Sequence, residues 1–359
     1  MQDKIPTSLS ERFAVMSLLC ACMIVFFHAT PAPEKGSLNW WFFQLFGREG
    51  VCSIAVPYFF GCSGFFLAGH YGEEGWWGKE VSKRVNSLVV PYYIWMAVGI
   101  VFGLLVGYVK TRFFHAESQD EFLSLPFLEK IVFYLGLHPF RDIGVLWYVR
   151  VLFFMVLAAP GIFFFLRWPV FTILVLGISH LVVTCLCYGV LSIDMYFLLD
   201  RFVSIRGLLY FFIGAALRVG RFELAKFGMP LWAGWIFGAV GLILLTLKNY
   251  LLLTSIGAVG AVLSAIAVPF LIVAIWLTLP SWNWVKELTG YSFPIFLMHN
   301  IFLSLVSMAF MVVGVRDSVV LQIPIALFRT MCAIGGAVLV AWFINRNIPR
   351  LSRVVFGGR

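Results

Sequence analysis

The chain has 359 residues, of which 62% are hydrophobic and only 12% charged, and its mean hydropathy is +0.96. Soluble domains carry about 25% charged residues, so this composition excludes a soluble globular protein and predicts one whose solvent is lipid. A formal net charge of +9 is no sign of nucleic acid, because the basic residues stand singly between apolar runs rather than in a stripe; they read as topology signals.

An α-helix needs about 20 apolar residues to cross a hydrocarbon core roughly 30 Å thick. In chain order, ten such runs occur, near 13–30, 51–69, 88–108, 145–166, 168–189, 202–217, 229–247, 255–279, 291–314 and 320–344. Each is continuously apolar rather than alternating, which predicts an all-α polytopic transmembrane helix bundle and not a barrel. The first run is too long for the core of a secretory signal, and no small-residue cleavage pattern follows it, so it is expected to stay as the first span. The connection 109–144 mixes Glu117, Asp120, Glu121 and Glu129 with apolar segments and predicts a short interfacial helix. With the N-terminus inside, the inner side holds fourteen Lys and Arg against ten outside; after subtracting acids the inner side is +7 and the outer side zero. That bias predicts two cytoplasmic termini. A single membrane domain over 1–359 is expected, without the inverted repeat of many secondary transporters. The seven cysteines lie almost entirely in apolar runs with no zinc or iron–sulfur spacing, so neither a disulfide framework nor a metal site is expected.

A charged group at the bilayer centre costs about 2.5–3.5 kcal/mol, so the ionisable residues inside the runs are the first places to look for chemistry. They are His28, Arg150, His180, His299 and Arg329. A histidine in a bundle can do no more than hydrogen-bond to a neighbouring helix, and for His180, with no motif around it, that reading is preferred. Trp147 and Arg150 share a helix face: either a belt aromatic with a snorkelling arginine, or a guanidinium that clamps an anion inside the bundle. Lys83 and Arg84 open the third run, and positive-inside bias explains their charge but not the Ser87 and Pro91-Tyr92 that follow. Ser63-Gly64 is a small-residue notch that lets a backbone or a ligand approach closely. Pro294, five residues before His299, is expected to loosen that helix.

These segments, in this order, resemble the membrane acyltransferase family 3, bacterial enzymes that acylate cell-surface glycans and lipids. The resemblance spans nearly the whole chain. It is carried by His28 late in the first span, by Val56-Pro57-x-Phe59-Phe60-x-x-Ser63-Gly64-Phe65, and by Lys83-Arg84-x-x-Ser87-Leu88-x-x-Pro91-Tyr92. Leu146-Trp147-Tyr148-x-Arg150, Tyr291-Ser292-Phe293-x-Ile295-x-x-x-His299 and a Gly357-Gly358-Arg359 tail complete it. One departure stands out: much of the family has an arginine eleven residues before the first-span histidine, where this chain has Ser17. Eleven residues put Ser17 and His28 on one face roughly 16 Å apart, while Arg12 is turned about 160° away and does not replace the charge.

The resemblance implies acetyl-CoA or another acyl-CoA as cosubstrate, no permanently bound cofactor, and a glycan or lipid hydroxyl as acceptor in the bacterial cytoplasmic (inner) membrane. Within it His28 is the expected general base. Lys83, Arg84, Ser87 and Tyr92 are expected to hold acyl-CoA, and Ser63, Trp147, Arg150 and His299 to stabilise the oxyanion or position the substrate. Direct transfer and an acyl-histidine intermediate both stay open. No carboxylate lies in the spans to orient His28, so such a partner is expected from a loop end such as Glu49 or Asp200. Membrane lipids are expected around the chain, and a homodimer is compatible with it. A transporter or flippase of a lipid-linked or sugar substrate is the rival reading, since sparse polar residues also line a path, and a non-catalytic scaffold is the third.

Overall fold

The computed structural model describes residues 7–114, 125–135, 145–191, 195, 200, 204–220, 230–253, 257–279, 285–314 and 319–358. Among the described residues there are helices and no strands. Lipid offers no water to a free amide or carbonyl, so each long apolar run closes its own backbone hydrogen bonds. Nine helical stretches among the described residues are long and apolar enough to cross a membrane. The first is α1 (Thr7–Ala29). The second joins α2 (Leu38–Phe46), a 3-10 turn and α3 (Ala55–Ala68), and the third joins α4 (Trp76–Arg84), a π turn (Val85–Val89) and α5 (Val90–Phe114). The short α6 (Phe127–Tyr134) precedes α7 (Leu146–Phe164) and α8 (Pro169–Gly189), and α9 (Ile205–Val219) precedes α10 (Leu231–Leu253) and α11 (Gly257–Thr278). The chain ends with α12 (Lys286–Thr289), α13 (Ser292–Val313), α14 (Gln322–Asn347) and α15 (Pro349–Val355).

The all-α polytopic bundle is therefore the fold, with one difference in detail. The run expected to span at 202–217 forms α9, whose 15 residues cover only about 22 Å. It packs against α3 with the two backbones in contact. A Cβ on Gly64 would come 1.9 Å from the Phe211 carbonyl oxygen, and one on Gly214 would come 1.9 Å from that of Gly61. The notch at Ser63-Gly64 is thus filled by a helix backbone.

The centre of the bundle is formed by α1 and the α2–α3 stretch, whose apolar windows are 50% and 56% buried against 17% for the peripheral α8. The Lys286 ammonium lies 3.0 Å from a Glu11 carboxylate oxygen, Trp95 Nε1 donates to the Val355 carbonyl at 3.0 Å, and Gly357 packs on the Ser87 carbonyl. These contacts gather the starts of α1, α5 and α13 and the last residues of the chain at one end of the bundle. At the other end Asn39 on α2 donates to the Gln322 side chain at 3.0 Å, and Lys248 on α10 reaches Gln44 at 3.1 Å. The first and last described residues, Thr7 and Gly358, belong to the same end of the molecule.

Two prolines and one connection refine the sequence reading. Pro160 inside α7 has no N–H for the Val156 carbonyl, and Trp77 Nε1 takes that acceptor instead at 3.2 Å, pinning α4 to α7. Pro294 does not loosen its helix, because it falls in the first turn of α13, where a missing N–H leaves no intrahelical bond unmade. A short helix, α6, does form in the connection 109–144. It is not confined to the far end of α5, since the Tyr134 ring lies 5.6 Å from that of Tyr93, three residues into α5.

Candidate active site

His28 is the penultimate residue of α1 and stands half-buried at the end of the bundle away from the termini. It lines a cavity of about 260 Å³ together with Lys110 of α5, Arg329 of α14, and Asn300, Ser304 and Ser307 of α13. His299, one turn below Leu303 on α13, is wholly buried, and its ring centroid lies 5.1 Å from that of His28. Its Nδ1 is 2.8 Å from the Phe296 carbonyl oxygen. A carbonyl only accepts, so Nδ1 carries the proton and donates, which leaves Nε2 as the basic nitrogen, buried and without a hydrogen-bond partner. The Phe296 ring is 6.3 Å from His299 and 5.6 Å from Tyr148, so the aromatic contacts run on to α7. There Trp147 stands half-buried beside Tyr148, and Arg150 is buried one turn into the helix. Ser63 sits half-buried on α3 beside the glycines that meet α9.

Lys83, Arg84 and Ser87 lie at the opposite end, with the termini. Ser87 is nineteen residues from Val106, which lines the His28 cavity, so the two groups are about 28 Å apart along the helix. Sequence reasoning missed the residue that organises this end: Glu80, a carboxylate only 5% exposed. It lies 3.4 Å from Lys83, 3.5 Å from Arg84 and 3.7 Å from His70. Lys83 keeps most of its side chain in solvent, whereas Arg84 is largely covered. Pro91 has no N–H for the Ser87 carbonyl, the chain widens there into the π turn, and Gly357 covers the freed oxygen so closely that a Cβ would come to 2.5 Å. With φ near +69° Gly357 also adopts a left-handed conformation that only glycine takes readily. Tyr92 is buried just above, its ring 5.1 Å from that of Tyr93.

Residues 15–346 match the family model of the acyltransferase domain, family 3. The chain belongs to this family. No curated protein and no solved structure matches it significantly. It is a multi-pass membrane acyltransferase, and the family match covers both ends of the bundle described above.

Against the acyltransferase pattern, the Ser17 position is neutral in space as well as in sequence. The Ser17 hydroxyl donates to the Phe13 carbonyl at 2.7 Å, and the Tyr58 hydroxyl donates to the same oxygen at 3.0 Å. Of the two loop-end carboxylates expected to orient His28, Asp200 is otherwise engaged, binding Arg206 at 2.6 Å and accepting from Ser204, while Glu49, whose backbone carbonyl accepts from Lys248 at 2.8 Å, makes no ion pair with His28. His299 takes the place next to His28 instead. Lys110 stands in none of the sequence motifs, and Arg329 stands out there only as one of five ionisable residues inside the apolar runs. The signal that points to them is the polar stripe Asn300, Ser304 and Ser307, which recurs at helical spacing along α13.

Proposed function

We propose that this acyltransferase moves an acyl group, most simply acetyl, from acyl-CoA to a hydroxyl of a cell-surface polysaccharide, glycolipid or lipid-linked sugar, in the cytoplasmic membrane of a bacterium. The observation that carries this reading is the pairing of His28, which lines the cavity, with His299, whose free nitrogen is a base. At a centroid separation of 5.1 Å a nitrogen of one ring reaches a nitrogen of the other when the two meet edge to edge. The rings are tilted by 38° and His299 Nε2 has no partner at rest, so a turn of the His28 ring that brings the two edges together lets Nε2 accept its N–H and leaves the other His28 nitrogen as the base that takes the acceptor's proton. The hydroxyl oxygen attacks the thioester carbon; the new C–O bond forms, the C–S bond breaks, and the CoA thiolate leaves and takes up the proton. Arg150 and Trp147 are the donors assigned to the transient oxyanion or to the sugar; Ser63, two residues from Phe65, whose ring packs on Phe13, lies near the level of Ser17 and is assigned to the path of the donor's acyl arm.

In this reading the end with the termini faces the cytoplasm, as the Lys and Arg bias indicates. Lys83 and Arg84 hold the donor's phosphates there, Ser87 and Tyr92 flank them, and the pantetheine arm extends toward His28. Glu80 keeps the two cations in place before the donor arrives. Purified protein in nanodiscs given radiolabelled acetyl-CoA and a membrane glycolipid fraction tests the proposal. The expected result is label in the acceptor, lowered about 10²–10⁴-fold by His28→Ala, the scale of general-base catalysis. Counterflow of a glycolipid across the membrane with no transfer of label would instead make the protein a transporter.

A further inference from the structure

The cavity beside His28 holds two full positive charges that no described carboxylate neutralises. Among the described residues no ion pair joins Lys110 or Arg329 to an acid, and the remaining polar residues of the wall are His28, Asn300, Ser304 and Ser307. Arg329 is held in position: its Nη2 donates to Ser307 Oγ at 2.8 Å, and Ser307 in turn donates to the Leu303 carbonyl at 2.8 Å. Its Nε is shut off from solvent and has no acceptor. That buried N–H is costly to leave unpaired, and with the Lys110 ammonium on the same wall the cavity is complementary to an anion.

We infer that this cavity binds an anionic group of the acceptor, a phosphate or a carboxylate on the sugar or lipid that receives the acyl group. The inference rests on the proposed acyl transfer and names the chemistry of its acceptor. Arg329 and Lys110 grip the anion, Asn300 and Ser304 add neutral hydrogen bonds, and a neighbouring hydroxyl of the same molecule lies against His28. Specificity then has a physical source. A neutral acceptor leaves both cations without an anionic partner, so it binds more weakly than its charged counterpart by about the worth of one or two charge-assisted hydrogen bonds.

The test needs no acyl-CoA, so its failure is separate from failure of the transfer reaction. Protein in nanodiscs of zwitterionic phosphatidylcholine is titrated with two matched pairs of probes, followed by tryptophan fluorescence: a short polyprenyl phosphate against its alcohol, and hexyl glucuronide against hexyl glucoside. The charged member of one pair is expected to bind at least about tenfold more tightly. Whichever pair shows the gap identifies phosphate or carboxylate as the anion. Arg329→Gln and Lys110→Gln should each shrink that gap, and Arg329→Lys should keep part of it, with unchanged thermal midpoints showing that the variants fold. Equal affinity for charged and neutral probes in the parent protein would overturn the assignment. So would loss of probe binding when one lipid in ten is phosphatidylglycerol, since the site would then be a seat for bilayer headgroups rather than for the acceptor.

Discussion

Two histidines five ångströms apart need not share one job, and their surroundings separate them. His299 is wholly buried with its Nδ1 committed to the Phe296 carbonyl, whereas His28 is half-exposed and faces the cavity. In the proposed mechanism the exposed ring is the one that meets substrate, and the buried one sets its tautomer. His299→Ala should lower kcat about a hundredfold with KM for acyl-CoA unchanged and the thermal midpoint within a few degrees, read by steady-state transfer of label. The opposite split is expected at the other end. Arg84→Gln should raise KM for acyl-CoA several-fold with little change in kcat, because it removes binding that ground state and transition state share. That prediction fails if kcat falls in proportion. Sequence alone singled out His28, His299, Lys83 and Arg84, since each stands in a motif or interrupts an apolar run. It did not reveal Glu80: a lone acid near a helix start reads as surface, and its burial against Arg84 and Lys83 appears only once α4 is packed.

At the scale of elements, hydropathy located the long helices but was blind to how they close on one another. The α3–α9 crossing shows why. Gly61, Gly64 and Gly214 carry no hydropathy signal to speak of, yet they let two backbones touch and allow a 15-residue helix to be buried inside the bundle. Gly64→Ala should destabilise the protein by about 1–3 kcal/mol, because its Cβ would meet the Phe211 carbonyl, a backbone atom that cannot rotate away. Gly103→Ala, on α5 with open space around it, is the matched control and should leave the midpoint of thermal unfolding in detergent unchanged or slightly raised. The link between α4 and α7 was equally invisible, since it needs a carbonyl freed by Pro160 to meet an indole 79 residues earlier in the chain. Trp77→Phe keeps the aromatic bulk and removes the donor, so it should cost about 1 kcal/mol; no loss of stability would mean that the Val156 carbonyl finds another partner.

For the whole molecule the decisive quantity is its orientation. The two proposed halves of the reaction lie at opposite ends of the bundle, about 28 Å apart along α5 and the turn before it. Acyl-CoA is made in the cytoplasm, so the proposed reaction requires the end carrying Lys83 and Arg84 to be the cytoplasmic one. The charge bias that supports this is a sum of many small terms, each screened by the surrounding ions. The fold adds an independent constraint, because the contacts of Glu11 with Lys286 and of Gly357 with Ser87 oblige both chain ends and the basic cluster to share one side. A single labelled position therefore fixes all of them. With the seven native cysteines, all free, replaced by serine or alanine, new cysteines at Lys79 and Gly358 should react with a membrane-impermeant maleimide only in inverted vesicles. One at the exposed Leu38 should react only in intact cells whose outer membrane has been permeabilised. The reverse pattern would put the acyl-CoA cations outside the cell, where no donor reaches them, and the division of labour between the two ends would have to be abandoned even though the helix bundle itself stood unchanged.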